Sequence, residues 1–180
     1  IKLLKKNNGK LIEVPYSKNI SSSKIRSKLR NYLSPNSRVS ILRRLIDNQK
    51  IVRILEAHSP LSGLIAENMK ITKRGKIEQF HGMWSSSLTD SSVKGKPDNQ
   101  SLDLSARFNS IGDLFDVTTK PLIFDADNGG RIEHLPFSVR TLERLGVSAI
   151  MMEDKVGLKK NSLFSDQSGA KQDSIKNFSQ

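Results

Sequence analysis

Apolar residues along this chain fall into two periodicities, and the switches between them divide the sequence into alternating elements. The run Val147-Ser-Ala-Ile-Met-Met152 is short, apolar and β-rich, which predicts a buried strand within "VSAIMMED" (147–154). Three comparable runs precede it: "IVRILEA" (51–57), "FHGMWSSS" (80–87) and "PLIFDAD" (121–127). Between them the spacing turns helical, in "LSGLIAENM" (61–69), near 102–116, and in "HLPFSVRTLERLG" (134–146). The stretch after 80–87 is rich in Ser, Gly, Lys and Asp and is expected to be a loop. Four apolar strands separated by helices imply repeated βαβ units and a parallel sheet. A doubly wound sheet and a (β/α) barrel both produce this pattern.

The first third reads differently. "LIEVP" predicts a weak strand ended by Pro15. Ser21-Ser22-Ser23 then offers helix caps before Ile25, Leu29 and Leu33, a stripe at spacing four with a basic opposite face. Pro35-Asn36 interrupts it and marks the expected domain boundary, and "SRVSILRRLIDNQ" (37–49) predicts a second basic amphipathic helix. The polar tail is expected to start another helix near Asp173.

Charge sharpens this division. The net charge is +12, yet residues 1–50 hold 13 Lys/Arg against two acids, while residues 51–180 are nearly balanced. The basic segment suits phosphate groups, but it has no interleaved aromatics for base stacking, so nucleic acid is not the expected partner. No stretch is long and apolar enough for a membrane span. The absence of cysteine removes disulfides, thiolate metal sites and cysteine nucleophiles, which fits a cytoplasmic protein. A chain opening on Ile1 is expected to be a piece of a longer protein.

In parallel α/β folds chemistry collects at the carboxyl ends of strands. Strand 121–127 ends in Asp125-Ala-Asp127, whose two carboxylates point to one side, and strand 147–154 ends near Glu153. Asp90 and Asp98 follow the strand at 80–87. Converging carboxylates repel unless a cation neutralises them, and hard oxygen ligands favour Mg²⁺ or Mn²⁺. The alternative for Asp127-Asn-Gly-Gly130 is a plain turn. His58, His81 and His134 are isolated, and no serine-hydrolase, P-loop or dinucleotide motif occurs.

Taken together, "EAH" (56–58), "WSSSL" (84–88), "GKPD" (95–98), "FDADNGG" (124–130) and "EDKVGLKKNS" (153–162) resemble the phosphoenolpyruvate mutase family, in the isocitrate lyase/phosphoenolpyruvate mutase superfamily of (β/α) barrels. The resemblance covers about residues 36–180, and these would form the N-terminal half of an eight-stranded barrel. The superfamily's lyases carry a cysteine where this chain has Lys159-Lys160-Asn161-Ser162, which points to a mutase. Phosphonopyruvate hydrolases stay open as close relatives, and so does a non-catalytic phosphate- or polyanion-binding module that would need only the basic N-terminal segment. Two departures are Leu158, where the family has proline, and Ser87, where it has glycine.

The resemblance implies Mg²⁺ on Asp125 most directly, with Asp127 and Glu153 acting through metal-bound water. It implies that Ser86, Ser87 and Leu88 hold the carboxylate and carbonyl of phosphoenolpyruvate or phosphonopyruvate, with Trp84 packed against them. Asp98 would lie near the transferring group, and Lys159, Asn161 and Ser162 would close over the phosphoryl group. "YSKNISSSKIR" (16–26) resembles the last element of cytidylyltransferase-like enzymes, which implies Ser22, Ser23 and Arg26 as contacts to a nucleotide such as CTP. Residues 1–35 would then end a nucleotidyltransferase domain, and the parent would be a bifunctional phosphonate-pathway enzyme, homo-oligomeric when complete. Half a barrel exposes two sheet edges, so the isolated 180-residue chain is expected to be poorly stable and inactive.

Overall fold

A computed structural model of the chain describes residues 35–156, 159–161 and 171–172, all within one compact unit, Tyr32–Gln180. The expected strand ending at Pro15, the helix over 21–33, Ser22, Ser23, Arg26, Leu158, Ser162 and the helix near Asp173 lie outside the described residues.

Four strands form one parallel sheet in the order β1 (Ile54–Glu56), β4 (Gly82–Ser85), β5 (Leu122–Asp125) and β6 (Ala149–Met151). Helices α1 (Pro35–Asn48), α2 (Pro60–Asn68), α4 (Leu104–Phe115) and α5 (Leu135–Leu145) alternate with them, giving the α/β architecture of half a (β/α)8 barrel. Each strand is three or four residues long. The longer apolar runs in the sequence include the entry and exit segments, which carry strand-like residues without ladder pairing.

Two additions escaped the periodicity. Residues 70–79 form a hairpin, β2 (Lys70–Lys73) with β3 (Lys76–Gln79), closed by Arg74 and Gly75 at positive φ, the geometry of a tight hairpin turn. Residues expected as loop form α3 (Ser87–Val93). Serine is a poor helix former, and Ser86 at the N-cap makes no side-chain cap bond, so tertiary contacts of Ser87 and Asp90 hold this helix instead. Two short strands, β7 (Lys155–Val156) and β8 (Lys171–Gln172), pair antiparallel.

Local signals start and stop the helices. Ser59 and Ser62 form a reciprocal capping box ahead of α2, with Pro60 in its first turn. Asp103 caps α4 through the Ala106 amide, and Gly146 ends α5 in the left-handed conformation at φ 98°. A Cβ on Gly146 would sit 3.0 Å from the Cα of Pro35, so glycine is needed there for space as well as for φ.

Register separates the two faces of the sheet. Leu55, Met83 and Leu122 form one row, and Ser85, Phe124 and Ile150 the next; both face the helices. Met83, Leu122 and Phe124 are fully buried there against Ile111, Leu114, Phe115 and Leu142. On the opposite face Glu56, Trp84, Ile123 and Ala149 make one row, with Asp125 beyond it at the carboxyl edge. The amino edge is tied by a polar network. The Arg38 guanidinium donates to the Thr118 carbonyl (2.7 Å) and stacks on Phe115, while the Glu67 carboxylate accepts from Thr118 Oγ1, Thr119 N and Thr119 Oγ1.

Candidate active site

The carboxyl edge of the sheet collects five buried ionisable side chains from five segments: Asp90 on α3, Asp98 on the α3–α4 loop, Arg107 on α4, Asp125 ending β5, and Lys159 beyond β7. Asp127, also buried, follows Asp125 in the turn after β5. That turn is real: Asp127 has φ 55°, the Gly129 amide donates to the Ala126 carbonyl, and the Gly130 amide donates to Asn128 Oδ1. The turn and the carboxylate cluster are therefore one structure rather than rival readings. The turn aims the Asp127 amide at Asp125 Oδ1 and the Asp127 carboxylate at Lys159.

Ser87 links the strand ends. Its amide (3.2 Å) and its hydroxyl (3.0 Å) both donate to Asp125 Oδ2, while Asp125 Oδ1 accepts from the Asp127 amide (3.0 Å). The Lys159 ammonium donates to Ser87 Oγ (2.8 Å), to Asp98 Oδ1 (2.7 Å) and to Asp127 Oδ1. Burial by itself would lower the Lys159 pKa. The hydrogen bonds and negative charges of Asp127 and Asp98 outweigh it and hold the ammonium above the ordinary lysine value.

Arg107 forms the floor of the cluster. Its Nε donates to Asp90 Oδ2 (2.9 Å), which also accepts from Ser85 Oγ (2.8 Å), and its Nη1 donates to the Asp125 carbonyl (2.6 Å). The guanidinium lies 4.2 Å over the Phe124 ring. Sequence reading missed Arg107. The available signal was a charged residue on the apolar stripe of α4, in line with Leu104, Phe108 and Ile111.

The structure thus brings Ser87, Asp98, Asp125, Asp127 and Lys159 together. Ser86 stands at the α3 N-cap with Leu88 half-buried in the first turn, and Trp84 lies half-buried on the face that carries Asp125. Asn161 is buried. Glu153 is positioned by its amide, which donates to the Asp127 carbonyl (2.6 Å), while its carboxylate lies 3.1 Å from the Lys155 ammonium. Among the described residues no three acidic or histidine side chains are grouped to hold a metal ion between them. His58 lies 3.1 Å from Glu56 at the end of β1, a local pairing.

Buried carboxylates, an ammonium and serine donors are thus gathered at the carboxyl edge of a parallel α/β sheet, where folds of this class carry their chemistry. A family profile described as phosphoenolpyruvate phosphomutase matches residues 42–179, and the chain belongs to that family. The phosphoenolpyruvate phosphomutase of Tetrahymena pyriformis is 27% identical over 77% of this chain and 43% of its own length. The crystal structure of phosphoenolpyruvate phosphomutase from Streptomyces platensis subsp. rosaceus superposes with a TM-score of 0.65 at 30% identity, over 78% of this chain and 45% of that one. A phosphonopyruvate hydrolase solved in complex with oxalate and Mg²⁺ superposes with a TM-score of 0.59 at 30% identity, over 68% of this chain and 41% of that one. The chain spans less than half the length of each of these relatives.

Proposed function

We propose that this chain forms part of an enzyme interconverting phosphoenolpyruvate and phosphonopyruvate by Mg²⁺-dependent intramolecular phosphoryl transfer. The observation that carries the reading is the buried contact of Lys159 with Ser87, Asp98 and Asp127 beside Asp125, in a chain of this family. Among the described residues the cluster sets four buried carboxylates, Asp90, Asp98, Asp125 and Asp127, against two buried cations, Arg107 and Lys159. Asp90 and Arg107 cancel, so the excess of about two negative charges rests on Asp98, Asp125 and Asp127 against Lys159; their oxygens are the donor type a hard divalent cation takes, while in this structure the Lys159 ammonium stands among them.

Asp125 would hold Mg²⁺ most directly, with Asp127 and Glu153 acting through bound water. When bound, the ion would offset negative charge that develops on the substrate oxygens. Ser86, Ser87 and Leu88 would hold the carboxylate and carbonyl, with Trp84 packed against them. Lys159, Asn161 and Ser162 would cover the phosphoryl group and Asp98 would flank it. In the reaction the bond from phosphorus to the enol oxygen breaks and a bond from phosphorus to C3 forms within one substrate. Keeping water out is what separates this outcome from hydrolysis.

The likeness to phosphonopyruvate hydrolase supports a second reading, release of phosphate from phosphonopyruvate. Phosphorus NMR of the intact protein with Mg²⁺ and phosphonopyruvate separates the two: a phosphoenolpyruvate signal supports the mutase, and inorganic phosphate the hydrolase. Neither signal would overturn both. The same proposal extends to an upstream cytidylyltransferase that uses CTP through Ser22, Ser23 and Arg26, to a homo-oligomeric assembly, and to a cytoplasmic location. An intact protein that shows no cytidylyl transfer from CTP would remove the first of these.

A further inference from the structure

Arg107 and Asp90 form a buried charge pair to which the proposed chemistry gives no task. Arg107 is 2% exposed, on a helix stripe where its neighbours Leu104, Phe108 and Ile111 are apolar. An apolar residue of similar volume would fill such a position without the desolvation cost of a guanidinium. The arginine instead spends its fork on strand ends. Nη1 donates to the Asp125 carbonyl at 2.6 Å and stands 3.7 Å from Asp127 Oδ2, while Nη2 lies 3.4 Å from both the carbonyl and the hydroxyl of Ser85. Nε is anchored by Asp90 Oδ2, which Ser85 Oγ also reaches. One rigid, planar group therefore bridges the carboxyl ends of β4 and β5, the two strands that lead into Ser86-Ser87 and Asp125-Asp127.

We propose that Arg107 is a positioning residue: anchored by Asp90, it fixes the spacing between the Ser86-Ser87 segment and the Asp125/Asp127 carboxylates. The inference rests on the reading of those residues as the Mg²⁺ and substrate site. The Arg107–Asp90 pair is neutral as a unit, so its effect is chiefly geometric. Lysine offers a point charge without the fork and cannot hold both carbonyls and Asp90 together.

The test uses the intact protein and three variants: Arg107→Lys, Arg107→Met, and the double variant Arg107→Met with Asp90→Leu. Melting temperature, affinity for oxalate in the presence of Mg²⁺ by calorimetry, and kcat and KM for phosphonopyruvate are measured on each. Arg107→Lys is expected to melt cooperatively yet bind Mg²⁺–oxalate about tenfold more weakly and turn over at least about tenfold more slowly. The double variant is expected to regain the melting temperature lost in Arg107→Met but not the oxalate affinity. Wild-type oxalate affinity in the double variant, or in Arg107→Lys, would make Arg107 a scaffold residue and overturn the proposal. A wild-type protein that binds no oxalate with Mg²⁺ overturns it too, since no site is then being positioned. If the wild type binds oxalate with Mg²⁺ but interconverts no phosphonopyruvate, the functional reading fails, and the affinities alone decide the role of Arg107.

Discussion

Glu67 offers a stability test that is independent of the site. Its carboxylate accepts three hydrogen bonds, from Thr118 Oγ1 (2.7 Å), Thr119 N (3.1 Å) and Thr119 Oγ1 (2.9 Å), and so ties α2 to the segment entering β5. Replacing it by glutamine keeps the shape. The amide oxygen can accept from Thr118 and from the Thr119 amide, and the amide nitrogen can donate to the Thr119 hydroxyl. What is lost is charge assistance, about 1 kcal/mol per bond before screening. Because Glu67 is only half-buried, about half of that total survives, so Glu67→Gln should cost about 1.5 kcal/mol. Glu67→Ala should cost about 3 kcal/mol, because it strands the fully buried Thr118 hydroxyl.

The pH dependence carries a definite sign. Burial would raise the Glu67 pKa, but the hydrogen bonds from Thr118 and Thr119 and the charge of Lys120 outweigh burial and hold it below the ordinary glutamate value of 4.5. A lowered carboxylate pKa stabilises the fold above the unfolded value, and that contribution is lost as pH falls through the folded one. The cost of Glu67→Gln should therefore be complete at neutral pH and shrink below 4.5. Hydrogen exchange of peptides covering Leu122–Asp125, wild type against variant at each pH, reads this directly. At neutral pH the variant should lose about tenfold in protection, at about 1.4 kcal/mol per factor of ten. A deficit that is unchanged at low pH, or no deficit at all, would refute the reasoning.

Other expectations follow from single contacts. Phe124→Ala empties a fully buried position and removes the ring under Arg107, so it should destabilise by about 3–5 kcal/mol, measured by urea unfolding. Gly146→Ala should cost at least about 1–2 kcal/mol from its positive φ alone, with the 3.0 Å approach to Pro35 adding to it, seen as a lower melting temperature. On the proposed reading Mg²⁺ should raise the wild-type melting temperature, and Asp125→Asn should abolish that rise together with turnover; a Mg²⁺ shift unchanged in the variant would remove Asp125 from the proposed metal site.

The strand–helix alternation was legible because the strands of the sheet lie in apolar runs and α1, α4 and α5 carry an apolar stripe. The acids at the end of β5 were legible because chemistry in such folds sits at strand ends. The hairpin was not: Lys70–Lys73 and Lys76–Gln79 bury no residue, so no apolar pattern announces them. Helix α3 was not, since serine favours loops and the bonds that Asp90 and Ser87 make across the fold leave no local pattern. Lys159 was visible as a candidate, but its triple contact depends on residues 32, 61 and 72 positions away, which no local pattern encodes. Arg38 and Arg107 share one lesson: a cation on an apolar stripe signals a buried polar partner from another element.

The alternation along β5 also limits how such a chain can change length. Phe124 belongs to the helix layer and Asp125 to the opposite face, one residue apart. Losing or gaining one residue within Leu122–Asp125 would drive a carboxylate into the hydrocarbon layer and present a phenyl ring to the face that carries Ser87 and Lys159. A change of two residues would keep each side chain on its face, whereas a change of one would not. The turn at Arg74-Gly75, where a Cβ on the glycine would meet nothing, can absorb insertions of any size. Drift in this lineage should accumulate at the hairpin tip and leave the reading frame of β5 untouched.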